Sequence, residues 1–219
     1  MIPAAVLFDF DGTLADSEPL ISESLLHAMR MHGYDVTPQE VRAIFGPPLD
    51  EMVRLLAGPI GAEKAQAIRD TYFQHYNGVQ LPRIRPIAGA EALLDALDAH
   101  GVRKALVTNK VEASAHRQLA AMHWERRFDV VVGADTTAHP KPAPDPALFA
   151  LDQLGVPATQ AAFVGDQEPD IACGLAAHVS QVIALALGRS AASLDSAGAT
   201  HVVTSLNEVR MLLLQESGA

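Results

Sequence analysis

Two aspartates, Asp9 and Asp11, stand two positions apart at the end of an apolar run, residues 4–8, and are followed at once by Gly12 and Thr13. On an extended chain, side chains two apart point to the same side, so this spacing turns two carboxylates toward one point. Gly12 permits a tight turn after them, and Thr13 offers a hydroxyl and a backbone donor to an anion. Taken alone, Asp-x-Asp-Gly is also a common surface turn. Polar groups recur, however, where later apolar runs stop. Val107 is followed by Thr108-Asn109-Lys110, and Val164 by Gly165-Asp166-Gln167-Glu168-Pro169-Asp170. Beyond the run ending near Val132 comes His139-Pro140-Lys141-Pro142-Ala143-Pro144, in which the prolines limit how far Lys141 can wander. Singly, these read as helix caps, turns or a solvated charge. Their joint position at one edge of one sheet asks for a common chemical reason.

Several carboxylates crowded together repel one another unless a cation or a proton neutralises them. A hard divalent ion held by a few oxygens and completed by water and a phosphate group is the pattern for magnesium. The nine histidines are scattered and never fall at His-x-x-x-His spacing, which argues against a nitrogen-based zinc site. Phosphoryl transfer needs an in-line nucleophile, neutralisation of the equatorial oxygens and a proton for the leaving group. The four segments contain groups for all three.

The elements that must position them are legible from apolar patterning. Short apolar runs at residues 4–8, 102–107, 128–132, 161–164, 181–186 and 201–203 alternate with helical stretches, such as the stripe Ala90, Leu93, Leu94, Leu97 that ends at Gly101. Strands this apolar, separated by helices, fit a parallel sheet covered on both faces, so a doubly wound α/β fold is expected. Residues 15–85 break the rhythm. They lack strand-like runs and place Leu20, Ile21, Ser24, Leu25, Ala28 and Met29 at helical spacing, with breakers at Gly33, Thr37-Pro38, Gly46-Pro47-Pro48, Gly58-Pro59, Gly61 and Pro82. About four helices are expected there, as an insertion of residues 15–85 into a core made of residues 1–14 and 86–219. An insertion straight after the first strand is expected over the strand ends where open parallel sheets bind ligands, as a lid.

Composition narrows the partners. The 219 residues are 49% hydrophobic, enough for a full core, and the formal net charge of -10, from 26 acidic against 16 basic residues, opposes nucleic acid and anionic membranes. No stretch approaches the roughly 20 apolar residues of a membrane span, and the N-terminus has no basic leader, so a cytoplasmic protein is expected. The single cysteine, Cys173, excludes an intrachain disulfide and reads as a small buried residue.

Together, Asp9-Phe10-Asp11-Gly12-Thr13, Thr108-Asn109, Lys141 and Gly165-Asp166-x-x-x-Asp170 resemble, in order, the four motifs of haloacid dehalogenase-like hydrolases. The helical insertion resembles that superfamily's α-helical cap on its Rossmann-like core, and Thr108-Asn109-Lys110 with Gly46-Pro47-Pro48-Leu49 resembles the phosphoglycolate phosphatase branch. The resemblance implies a phosphoric monoester hydrolase acting on a small phosphorylated metabolite, as a monomer or small homo-oligomer. It implies that Asp9 is the nucleophile forming an aspartyl-phosphate, and that Asp11 is first the acid, then the base, and lends its backbone carbonyl to Mg²⁺. Thr108 would hydrogen-bond the phosphoryl group, Asn109 would orient the site, and Lys141 would neutralise phosphate and Asp9. Asp9 and Asp166 would ligate magnesium directly, with Asp170 behind them holding a metal-bound water or Lys141.

Gln167 stands where a small hydroxyl residue is usual, and Pro169 removes a backbone donor beside Asp170, so a weakened metal site is an expectation to test. A phosphohexose mutase, or a catalytically silent protein that binds a phosphorylated ligand, would share the same residues. Haloacid dehalogenation would need neither Asp11 nor Asp166. A phosphonate-cleaving enzyme would need a cap lysine, for which only Lys64 is present. Arg42, Arg54 and Arg69 are candidates to meet a substrate anion, although such arginines are more often a solvated helix face.

Overall fold

In the computed structural model, which describes residues 1–188 and 190–215, each of the six apolar runs contributes a strand. They are β1 (Ala5–Phe8), β2 (Arg103–Val107), β3 (Val130–Val132), β4 (Ala161–Gly165), β5 (Gln181–Leu185) and β6 (His201–Val203). All pair in parallel, in the order β3-β2-β1-β4-β5-β6. The run from residue 128 is shorter than its apolar pattern suggests, because the Asp129 carboxylate turns back to accept the Lys104 amide. β1, β4 and most of β2 and β5 are buried along their length, as strands covered by helices on both faces must be.

The described chain falls into two compact units, one of Met1–Asp16 with Pro86–Ala219 and one of Ser17–Arg85. In the first, the chain leaves β1 for β2 and β3 on one side and later builds β4, β5 and β6 on the other. β1 and β4 are neighbours whose onward connections run in opposite directions, the point where doubly wound sheets open a crevice at their C-terminal edge. Helices α5 (Ala90–Ala99), α6 (Glu112–Ala121), α7 (Asp145–Leu154), α8 (Glu168–Ala176), α9 (Ala191–Ser196) and α10 (Leu206–Leu214) belong to this unit. The stripe Ala90, Leu93, Leu94 and Leu97 is the buried face of α5. Ala15 bridges both Asp11 and Pro86, so the insertion departs and returns side by side.

The second unit is helical throughout: α1 (Glu18–Met31), α2 (Pro38–Ala43), α3 (Leu49–Ala57) and α4 (Ala62–His75), continued by one π-helical turn, Tyr76–Gln80. Its boundaries follow local chemistry. Thr37 and Glu40 form a reciprocal capping box with Pro38 at the first helical position of α2, and Gly58, at φ 71, ends α3. Leu20, Ile21, Leu25, Ala28 and Met29 make the buried face of α1, and the buried Ser24 hydroxyl lies 3.1 Å from His75 Nδ1. No helix among the described residues is long and apolar enough to cross a membrane.

Candidate active site

The site is built at the C-terminal edge of β1, β2 and β4. Phe8 is in register with Val164, and the Asp9 amide continues the ladder by donating to the Val164 carbonyl at 2.9 Å, which places Asp9 and Asp166 on neighbouring strand ends. Lys141 arrives from the segment before α7. Its ammonium has three donors, and all three are used: Asp9 Oδ1 at 2.6 Å, Asp170 Oδ1 at 2.6 Å and the Val107 carbonyl at 2.8 Å. Asn109 fixes the approach of this segment, its side-chain amide donating to the Lys141 carbonyl at 3.0 Å. Thr108, buried at the end of β2, accepts the Lys110 amide at 3.2 Å.

Asp170 sits in the first turn of α8 and joins two parts of the site. One oxygen takes the Lys141 ammonium, while the other accepts the backbone amides of Asp166 and Gln167 at 3.2 and 3.0 Å. This packing needs Gly165, since a Cβ there would lie 2.3 Å from the Asp170 Cβ. Gly12 has a similar role on the other side: its φ is +84, and a Cβ would meet Asp166 Oδ2 at 2.6 Å. Gln167 and Pro169, the residues for which a weakened metal site is expected, both lie at the start of α8. Pro169 is the second residue of α8, where the missing N–H is one of those a helix leaves without an intrahelical partner, and Gln167 and Asp170 form a reciprocal capping box, the Gln167 side chain accepting the Asp170 amide and the Asp170 carboxylate accepting the Gln167 amide. The Thr13 hydroxyl donates to Asp166 Oδ1 at 2.9 Å, so the anion it meets within the protein is that carboxylate, which it orients.

Oxygens of Asp9, Asp166 and Asp170, all buried, lie within 4.8 Å of one another. Asp11 is near enough to raise the Asp9 carboxyl, yet its own side chain turns to Lys110, with Nζ 3.0 Å from Oδ2. The alternation argument thus places Asp9 and Asp11 in one site, but the tightest carboxylate cluster includes Asp170 in place of Asp11. Burial pushes the Asp9 carboxyl up to about 7; Lys141 opposes this, whereas Asp170 and Asp11 add to it. Burial also disfavours the Lys141 ammonium, but Asp170 and Asp9 outweigh that and hold it well above the ordinary lysine value. A buried cluster of three carboxylates with one ammonium inside it, and an aspartate that resists ionising, suits an additional hard cation held by oxygens.

Sequence reasoning did not give Lys110 a role in the site, nor Gly12 and Gly165 their close approach to Asp166 and Asp170. The signal for the glycines was their place beside the motif aspartates. The Lys110–Asp11 pair joins residues 99 positions apart (110 − 11), and no local pattern announces it. Cys173 is buried and its thiol is pushed up to about 11 by burial, as suits an inert packing residue. In the helical unit, Arg69 pairs with Asp50 at 2.6 Å and the Arg54 side chain donates to the Asp50 carbonyl, while Arg42 is exposed.

The chain is similar to known proteins over most of its length. The family model described as haloacid dehalogenase-like hydrolase matches residues 6–184. A phosphoglycolate phosphatase from Xanthomonas campestris pv. campestris (strain 8004) is 34% identical over 184 residues, 84% of this chain and 83% of that one. A second phosphoglycolate phosphatase, from Rhodospirillum rubrum, is 34% identical over 212 residues, 92% of this chain and 87% of its own. Among solved structures, a haloacid dehalogenase-like family hydrolase from Streptococcus pneumoniae superposes with a TM-score of 0.83 at 21% identity, covering 98% of this chain and 99% of that one, a likeness of fold. With strand order, site geometry and family match in agreement, the chain belongs to the haloacid dehalogenase-like hydrolases and is a phosphatase of that family.

Proposed function

We propose that this phosphatase is magnesium-dependent and hydrolyses a small phosphorylated metabolite, phosphoglycolate first, through an aspartyl-phosphate on Asp9. The observation that carries this is the Lys141 ammonium seated between Asp9 and Asp170, with the Asp166 carboxylate in the same buried cluster. One oxygen of Asp9 attacks phosphorus in line with the ester oxygen. As the new O–P bond forms, the ester P–O bond breaks and Asp11 delivers a proton to the departing oxygen. Water then attacks the same phosphorus, Asp11 takes its proton, and the Asp9–phosphate bond breaks to release phosphate. Lys141 neutralises charge on the phosphoryl oxygens and on Asp9 throughout. The Thr108 hydroxyl already accepts from the Lys110 amide, so its own proton is the part that reaches a phosphoryl oxygen. Asp9, Asp166 and the Asp11 backbone carbonyl would hold Mg²⁺, with Asp170 behind them, and the ion would supply positive charge beside the transferring group. The helical unit Ser17–Arg85 takes the part of the cap that selects among esters.

Phosphate release from 4-nitrophenyl phosphate and from phosphoglycolate with magnesium is the expected result, lost with EDTA and in Asp9→Asn. Turnover that survives Asp9→Asn would remove Asp9 as nucleophile. A sugar phosphate isomerised faster than phosphate is freed would replace hydrolysis with mutase chemistry.

A further inference from the structure

Thr108 and Lys141 reach the site from two different loops, and a set of contacts outside the site joins those loops. Past the paired ends of β2 and β3, the Thr108 amide donates to the Val132 carbonyl at 2.9 Å and the Ala134 amide to the Lys110 carbonyl at 2.8 Å, so the two segments stay joined by backbone beyond the sheet. Gly133 lets them touch, since a Cβ there would lie 2.3 Å from the Glu112 amide nitrogen and 2.6 Å from its Cα. Side chains then close a clasp. Asp135 Oδ1 accepts the Glu112 amide at 2.7 Å, Glu112 Oε2 accepts the Thr136 hydroxyl at 2.6 Å, and Thr136 Oγ1 accepts the Gly133 amide at 2.9 Å. The other Glu112 carboxylate oxygen faces His116 Nε2 at 3.7 Å. Helix α6 begins at Glu112 after Val111, whose side chain has no acceptor to cap it, and Asp135 from the neighbouring loop supplies that acceptor.

Resting on the roles proposed above for Thr108 and Lys141, we propose that Asp135 and Thr136, clasped to Glu112, are positioning residues that set where the Thr108 hydroxyl and the Lys141 ammonium stand relative to the Asp9 nucleophile. The chain leaves β3 at Val132 and brings Lys141 back to Asp9 across residues 133–140, which run as turns and bends. This stretch is held at its near end by the clasp. At its far end Asn109 holds it, the side-chain amide donating to the Lys141 carbonyl at 3.0 Å. Both ends are thus tied to residues 108–112, the segment that carries Thr108. Opening the clasp frees one end of the Lys141 stretch and uncaps α6 in the same event. The three acceptors of Lys141 define a single position for its ammonium. A displacement of about 1 Å in such a site costs on the order of 10²-fold in rate, even when its cause lies away from the reacting atoms.

The test measures kcat and KM for 4-nitrophenyl phosphate with magnesium, beside the melting temperature, in Asp135→Ala, Asp135→Asn, Thr136→Val and Arg127→Ala. Asp135→Ala and Thr136→Val are expected to lower kcat by roughly 10-fold while KM stays within about threefold of the parent. Asp135→Asn keeps an acceptor for the Glu112 amide and should retain about half of the parent kcat or more. Arg127→Ala removes ion pairs to Asp95 and Asp98 just before β3, at the strand end away from the site, and should keep the parent kcat whatever it does to the melting temperature. A kcat that simply follows the melting temperature across the four variants would overturn the positioning role. So would an equal loss in Asp135→Asn and Asp135→Ala, or a kcat within about twofold of the parent in either Asp135→Ala or Thr136→Val. Should Asp135→Ala not fold, Thr136→Val, which keeps the side-chain shape and loses only the hydroxyl, decides under the same criteria. Full activity in Lys141→Met would instead overturn the role of Lys141 on which the proposal rests, so the two failures are distinguishable.

Discussion

The α/β unit and the helical unit treat charge in opposite ways. At the C-terminal edge of the sheet, Asp9, Lys141, Asp166 and Asp170 are all buried, and the protein tolerates an aspartate that resists ionising. In the helical unit charge pairs lie at the surface: Arg69 with Asp50, side chains 27% and 51% exposed, and Arg83 with Glu23, 55% and 50%. Its buried polar side chains, Ser17, Ser24 and Gln80, are uncharged. Burying charge costs several kcal/mol per ion unless partners compensate, so a fold keeps it where it performs chemistry and otherwise leaves charges in water. The sheet edge is accordingly the sensitive region, and the helix surfaces are the tolerant one.

The sharpest separation of function from stability is Asp9→Asn. Its kcat should fall by roughly 10⁴-fold or more, because the nucleophile is gone. Its effect on stability in EDTA should have the opposite sign. The Asp9 carboxyl titrates near 7 in the fold against 3.8 ordinarily. Between those values the unfolded chain has released a proton that the folded chain retains, so this group lowers stability as pH rises, and above 7 the deficit is constant. Melting temperatures of the two proteins should diverge in favour of Asp9→Asn from about pH 4 to about pH 7 and run parallel beyond. A constant offset across that range would show that Asp9 is not held against its charge.

Lys141→Met removes the ammonium from between Asp9 and Asp170 and should destabilise the metal-free protein by about 3 kcal/mol, read by urea unfolding, with activity lost as well. Magnesium sharpens the same contrast. It should raise the melting temperature of the parent protein, and more at about pH 8 than at about pH 6, since below 7 the ion must displace a proton from Asp9. An equal shift at both values would place the ion away from Asp9. At the tolerant end, Arg69→Ala should cost less than about 1 kcal/mol in the same unfolding assay. A loss as large as that of Lys141→Met would break the division between the two regions.

Much of this is legible in the sequence. Each described strand lies in a short, mostly apolar run, because a strand buried on both faces leaves few polar positions; the polar residues Arg103, Lys104, Gln181 and His201 stand at strand starts. The helices between Glu18 and His75 are bounded by glycines and prolines whose backbone preferences act within a few residues. Asp9, Thr108, Asn109, Lys141, Asp166 and Asp170 could be singled out because strand ends are places in the sequence as well as in space. Two things were not legible there. The employment of Thr13 and the capping role of Gln167 depend on hydrogen bonds whose partners are set by the turn around Gly12 and by where α8 begins.

What the sequence determined by itself is therefore the order of strands and helices along the chain and the types of chemical group at each strand end, since both follow from local periodicity and residue chemistry. Only the tertiary structure decided how those groups divide the charge. Lys141 is locked between Asp9 and Asp170, and Lys110 pairs with Asp11. The reason is physical: which carboxylate meets which ammonium depends on distances between strand ends far apart in the chain. In a buried site the strength of each such pairing changes steeply with those distances.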